Sequence, residues 1–149
     1  MGGDRARGAL VHGVLTTDPY NPAVNALAQV AAFAAGLVHV MIFVLESVLF
    51  RRPAAHRTFG VAPDDVAAVQ PWAFNQGFYN LFLAAGALGG LALVWSGSTA
   101  EGRTLVIFAC ASMLAAAVVL LATNHRMLRG ALIQGLLPLI AVIAAVASG

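Results

Sequence analysis

LVIFACASMLAAAVVLLA, residues 105–122, decides the fold class. Ser112 is its one clearly polar side chain, and it carries no charge. As a helix rising about 1.5 Å per residue it reaches ~27 Å, close to the thickness of a bilayer's hydrocarbon. Three more stretches of this kind surround it. Residues 24–50 are apolar but for Asn25, Gln29, His39, Glu46 and Ser47. Residues 72–95 carry their polar groups in the first half, and residues 131–147 are apolar almost throughout.

The whole chain agrees. Of 149 residues, 60% are hydrophobic and 9% charged, with mean hydropathy +0.86, whereas a soluble domain has about 25% charged residues. That excludes a soluble domain, a disordered chain and a nucleic-acid-binding module. A β-barrel shows alternating segments of about ten residues, and nothing here alternates. The expected fold is all-α, a multi-pass four-helix bundle in the cell (inner) membrane, one domain over 23–149. Residues 1–22 read as a surface tail rather than a secretory signal, since no apolar core follows Arg5 and Arg7. Trp72 and Trp95 bracket the second span about 35 Å apart, one for each headgroup layer.

The loops orient the bundle. Arg51, Arg52 and Arg57 lie between the first two spans, and Arg126 and Arg129 between the last two. Against these five stand Arg5, Arg7 and Arg103 on the other side. The positive-inside rule places the five in the cytoplasm and both termini outside. Between Arg51 and Gln70, Pro63-Asp64-Asp65 reads as a helix start with acids at the positive end of the dipole. The expected result is a short interfacial helix over 64–70, with Pro71 in the first turn of the second span.

This topology gathers polar residues into one layer. Glu46 ends the first span, Asn75, Gln76, Tyr79 and Asn80 open the second, Asn124 and His125 end the third, and Gln134 opens the fourth. On an uninterrupted helix His39 and Glu46 lie within about 20° of each other, and the four residues of the second span cover about 140°. Such a face is expected to meet other helices or a water-filled cavity, because an unsatisfied amide in lipid costs several kcal/mol. Glu46 is the only carboxylate in a span, which favours function over a mere pairing with Arg51 or Arg52. It is the candidate general acid or base. His39 serves either as a proton relay to it or as a hydrogen-bonded structural histidine. Tyr79 completes the catalytic candidates. Asn75, Gln76, Asn80, Asn124 and Gln134 are the substrate-binding candidates, their alternative role being interhelical hydrogen bonds.

No metal or other cofactor is expected: the histidines lie at different depths and Cys110 has no second cysteine. Gly86 and Gly90 form a GxxxG pair that allows close approach of another helix, within the bundle or from a second copy in a homo-oligomer.

These residues resemble the domain of unknown function 1304 family of small four-span bacterial membrane proteins. The resemblance covers residues 27–145. It rests on His39 and Glu46, on Phe59-Gly60, on Asn75-Gln76-Gly77-Phe78-Tyr79-Asn80, and on Gln134-Gly135 followed by Pro138. It implies a compact four-helix membrane fold and no particular reaction. Three functions compete on the residues alone. The favoured one is a membrane-embedded enzyme performing isomerisation, epoxide opening or cyclisation on a lipophilic, isoprenoid-like substrate. The others are a small proton-coupled exporter of lipophilic compounds and a structural membrane subunit.

Overall fold

The computed structural model describes residues 22–148. The expected surface tail therefore lies outside the described residues, except Pro22, which is the first residue of α1. Helix α1 is Pro22–Phe43 and runs on into a π-turn, Val44–Val48. Next come α2, Pro53–Thr58; a 3₁₀ turn, Pro63–Asp65; α3, Val66–Trp95; and α4, Thr99–Thr123. A second 3₁₀ turn, His125–Met127, leads into α5, Leu128–Ala147. Four of these units are long and apolar enough to cross a membrane, and the chain is a multi-pass membrane protein with a four-helix bundle.

The packing is inverted relative to a soluble bundle. Small residues face inward: Ala31, Ala32 and Ala35 of α1, Ala87 of α3, Ala109 and Cys110 of α4 and Ala141 of α5 form the core with Leu91, Val106 and Met113. Large residues face outward, among them Val30, Phe82, Phe108 and Ile143, each at least 60% exposed. Such a surface is stable only against lipid, where helices associate through close backbone approach rather than by hiding apolar area from water. Adjacent spans run antiparallel, with α1 packed on α3 and α5, and α4 also packed on α3 and α5.

Two sequence expectations are corrected here. There is no separate helix over 64–70 before the second span: α3 starts at Val66 and passes through Pro71 without interruption. Pro71 lies within the second turn, where its ring leaves only the Ala67 carbonyl without a helical donor. The loop also holds the six-residue helix α2, which begins on Pro53 at its first position. His56 of α2 is buried, and its Nδ1–H donates to the Val61 carbonyl at 2.8 Å, pinning the loop.

Gly86 and Gly90 are both occupied within the chain. A Cβ on Gly86 would lie 3.2 Å from Ala109 Cβ, and one on Gly90 would lie 2.9 Å from the Gly102 carbonyl oxygen. The pair is thus the α3 half of the α3–α4 seam. At the same end, Trp95 Nε1 donates to Gln29 Oε1 at 2.7 Å, tying α3 to α1. Trp95 is 63% exposed, so Trp95→Phe is expected to lower stability by only about 0.5 kcal/mol, the lower end for a neutral hydrogen bond. Thermal unfolding in bicelles measures this.

Candidate functional site

The π-turn sets the site. Leu49 N–H donates to the Val44 carbonyl at 2.9 Å, five residues back, so one extra residue is accommodated at the end of α1. Such turns re-aim side chains and recur at functional sites. This one points Glu46 at α3. Glycine makes the approach possible: a Cβ on Gly77 would collide with Ser47 Oγ and lie 3.1 Å from Glu46 Cβ. Ser47 Oγ donates to the Phe74 carbonyl at 3.0 Å, fixing the turn on α3 from the other side.

Glu46 is 9% exposed and Asn80 6% exposed. Asn80 Nδ2 donates to Glu46 Oε2 at 2.9 Å and to the Gln76 carbonyl at 3.1 Å. A backbone carbonyl only accepts, so the atom that serves both partners must be the amide nitrogen, and the orientation of Asn80 is fixed. Both of its N–H groups are thereby used. No arginine neutralises Glu46 among the described residues. Arg51, the natural partner by position, donates instead from Nε to Gln70 Oε1 at 2.8 Å.

The second carboxyl oxygen, Oε1, has no hydrogen bond among the described residues, yet no buried polar side-chain atom there lacks a partner. It must therefore reach open space. Glu46 also lines a groove of about 390 Å³, together with Asn75 and Gln76 and the apolar side chains of Phe50, Phe59, Val61, Val69, Trp72 and Ala73. One oxygen is held, and the residue borders a largely apolar groove. Chemically, this arrangement can give or take a proton on a lipophilic molecule.

The residues expected from sequence are distributed unevenly around it. The groove brings together Glu46, Asn75 and Gln76, with Asn80 behind Glu46. Of the four site candidates on α3, only Asn80 is buried; Asn75, Gln76 and Tyr79 are not. Asn75 and Gln76 border the groove, whereas Tyr79 departs from the expected inward-facing set. The buried stripe runs through Ala73, Gly77, Asn80, Ala84, Ala87 and Leu91. Gln76 stands about 60° from the centre of that stripe and Tyr79 about 120°. Tyr79 is 55% exposed and does not line the groove.

His39 is fully buried, and its Nδ1–H donates to the Ala35 carbonyl on its own helix at 2.9 Å. It makes no hydrogen bond to Glu46, and seven residues of helix separate the two by about 10 Å. Asn124 is exposed and caps the turn before α5, its Oδ1 accepting from Arg126 N–H at 3.1 Å. Gln134 is half-buried, lines neither the groove nor the cavity beside Asn124, and has no side-chain hydrogen bond among the described residues. Pro138 one turn later is buried inside a continuous α5. No group of three or more metal-ligating side chains occurs among the described residues.

Sequence reasoning missed the apolar wall, chiefly Phe59 and Val61, because the helix α2 that leads into them was read as loop. It also missed Gly77, although a glycine amid polar residues, four after Ala73 and seven before Ala84, is the pattern of a close helix contact. Gly77→Ala tests this. It is expected to lower stability by about 2 kcal/mol, within the range for overpacking, and to weaken the Glu46–Asn80 contact. Gly77→Ala combined with Ser47→Ala, which removes the colliding hydroxyl, is expected to recover part of the loss in thermal unfolding.

A bundle of four long apolar helices with a buried carboxyl group at one end defines the class: a small multi-pass membrane protein. The chain belongs to the protein of unknown function (DUF1304) family, whose model matches residues 33–146 and thus includes His39, Glu46, the 75–80 run and Gln134. The resemblance drawn from the motifs is borne out. No curated protein and no solved structure matches the chain.

Proposed function

We propose that the protein is a membrane-embedded enzyme that uses Glu46 as general acid or base on a lipophilic substrate. One observation carries the reading: Glu46 lines an apolar groove with only one oxygen hydrogen-bonded, to Asn80, and with no arginine neutralising it among the described residues. A carboxyl group placed only to stabilise the bundle would have both oxygens engaged, since an unpaired polar atom in such surroundings is costly. Asn80 is the positioning residue. Gln76 and Asn75, at the rim, orient a substrate oxygen. Chemistry that needs one proton-transfer group fits this site: isomerisation, epoxide opening or protonation-initiated cyclisation of an isoprenoid. By arginine count the groove end lies in the cytoplasm and both chain ends outside, in the cell membrane.

The test compares, by mass spectrometry, lipophilic extracts of cells carrying wild type or Glu46→Gln at equal membrane levels. A species made or consumed only with wild type supports the enzyme. Identical extracts, with both proteins folded, count against a reaction on cellular lipids.

A further inference from the structure

A second cavity lies beside the groove. Its volume is about 770 Å³, and it is lined by Arg57 and Thr58 of α2, by Phe59 and Gly60, and by Asn124, Arg126 and Arg129 before and within α5, among others. No aspartate or glutamate lines it, and none of the three arginines has an ion-pair partner among the described residues. Three arginines from two separate segments thus line one space. Arg126 and Arg129 also sit at the N-terminal end of α5, where the helix dipole disfavours positive charge.

A general excess of arginine in the loops accounts for the number of these residues but not for their lining one space. Arg51, at the same end, is bonded to Gln70, and Arg52 does not line the cavity. An anion resolves the repulsion. Arginine's planar fork matches phosphate oxygens in pairs, and the lone pairs of phosphate suit several such donors at once. Phe59 lines both this cavity and the Glu46 groove, so the two spaces share a wall.

We propose that Arg57, Arg126 and Arg129 form a binding site for the phosphate group of an amphiphile, whose apolar chain passes Phe59 into the groove. The phosphate site stands on the arginine cavity alone; the placing of the chain at Glu46 rests on the enzyme reading above. Gly60, which also lines the cavity, adopts φ 71°. Glycine reaches that conformation without strain.

Binding tests the proposal without any turnover. The protein in uncharged detergent is offered equal amounts of dioleoyl phosphatidic acid and dioleoyl phosphatidylcholine, and retained lipid is measured by native mass spectrometry. Inorganic diphosphate is titrated separately by calorimetry. Phosphatidic acid is expected to be retained at least about tenfold over phosphatidylcholine, consistent with paired charge-assisted hydrogen bonds. Arg57→Gln combined with Arg126→Gln and Arg129→Gln is expected to abolish that preference, with Arg52→Gln unchanged. Arg129→Gln alone, expected to weaken it partly, serves if the triple variant does not fold. Diphosphate bound by wild type and lost in the triple variant supports the same site with a soluble source of phosphate. Equal retention of the two lipids without diphosphate binding, or retention unaffected by the arginine substitutions, overturns the proposal. Glu46→Gln is expected to bind phosphatidic acid like wild type, so failure here leaves the acid–base reading standing, and the reverse also holds.

Discussion

Gly102→Ala is expected to be the most damaging single methyl addition in the bundle, lowering stability by about 3 kcal/mol, the top of the usual overpacking range. A Cβ there would lie 2.5 Å from the Gly90 carbonyl oxygen and 2.6 Å from the Val94 backbone nitrogen. Both are main-chain atoms of α3, so no rotamer change relieves the contact, and the helices must separate. Separation at this crossing also loosens Val106 and Leu91 in the core. Gly89→Ala is the matched control: nothing lies within 4 Å of its added methyl. Helix propensity alone then favours alanine by up to about 1 kcal/mol. Reversible unfolding in mixed micelles compares the two. Equal stability of Gly102→Ala and Gly89→Ala would contradict the seam.

Glu46→Gln is expected to give the largest functional effect, a loss of about 10²–10⁴-fold in turnover with little change in fold. The substitution keeps the shape of the side chain, and the carbonyl oxygen of the new amide still accepts from Asn80. What it removes is the group beside the groove that can give and take a proton. Glu46→Asp keeps the acid but shortens its reach, and it is expected to retain measurable activity below wild type. A Glu46→Gln variant that unfolds would instead mark the carboxyl as structural. Purified variants, compared by circular dichroism and by conversion of the species found in the extracts, separate these outcomes.

The fold was legible because lipid imposes one dominant rule, that a spanning segment must be long, apolar and helical. Residues 105–122 satisfy it without exception, and α4 covers them all. Legibility ended where backbone geometry departs from the regular helix. The seven-residue spacing of His39 and Glu46 suggested a shared face, but the π-turn at Val44–Val48 begins between them and re-aims Glu46. Nothing in VLESV announces a π-turn; it arises from packing on Gly77 and Ser47's bond to Phe74. Likewise the run from Asn75 to Asn80 reads as one polar patch. Yet a helix turns about 100° per residue, so its four polar side chains spread over about 140°, wider than one helix contact. Which one points inward is decided by the small residues Ala73, Gly77 and Ala84, and they select Asn80. Glu46's depth was legible from its distance to Arg51, and so was the unusual character of a lone carboxylate there.

The most direct test of acid–base chemistry at Glu46 is solvent labelling. Protein in nanodiscs is incubated with total lipid extract from the native cells in D₂O enriched in ¹⁸O, and non-exchangeable label in lipophilic species is read by mass spectrometry. General acid or base catalysis by Glu46 requires a species that gains deuterium at carbon, or ¹⁸O on epoxide opening, with wild type and not with Glu46→Gln. Label that appears equally with both proteins, or with neither, would contradict that role.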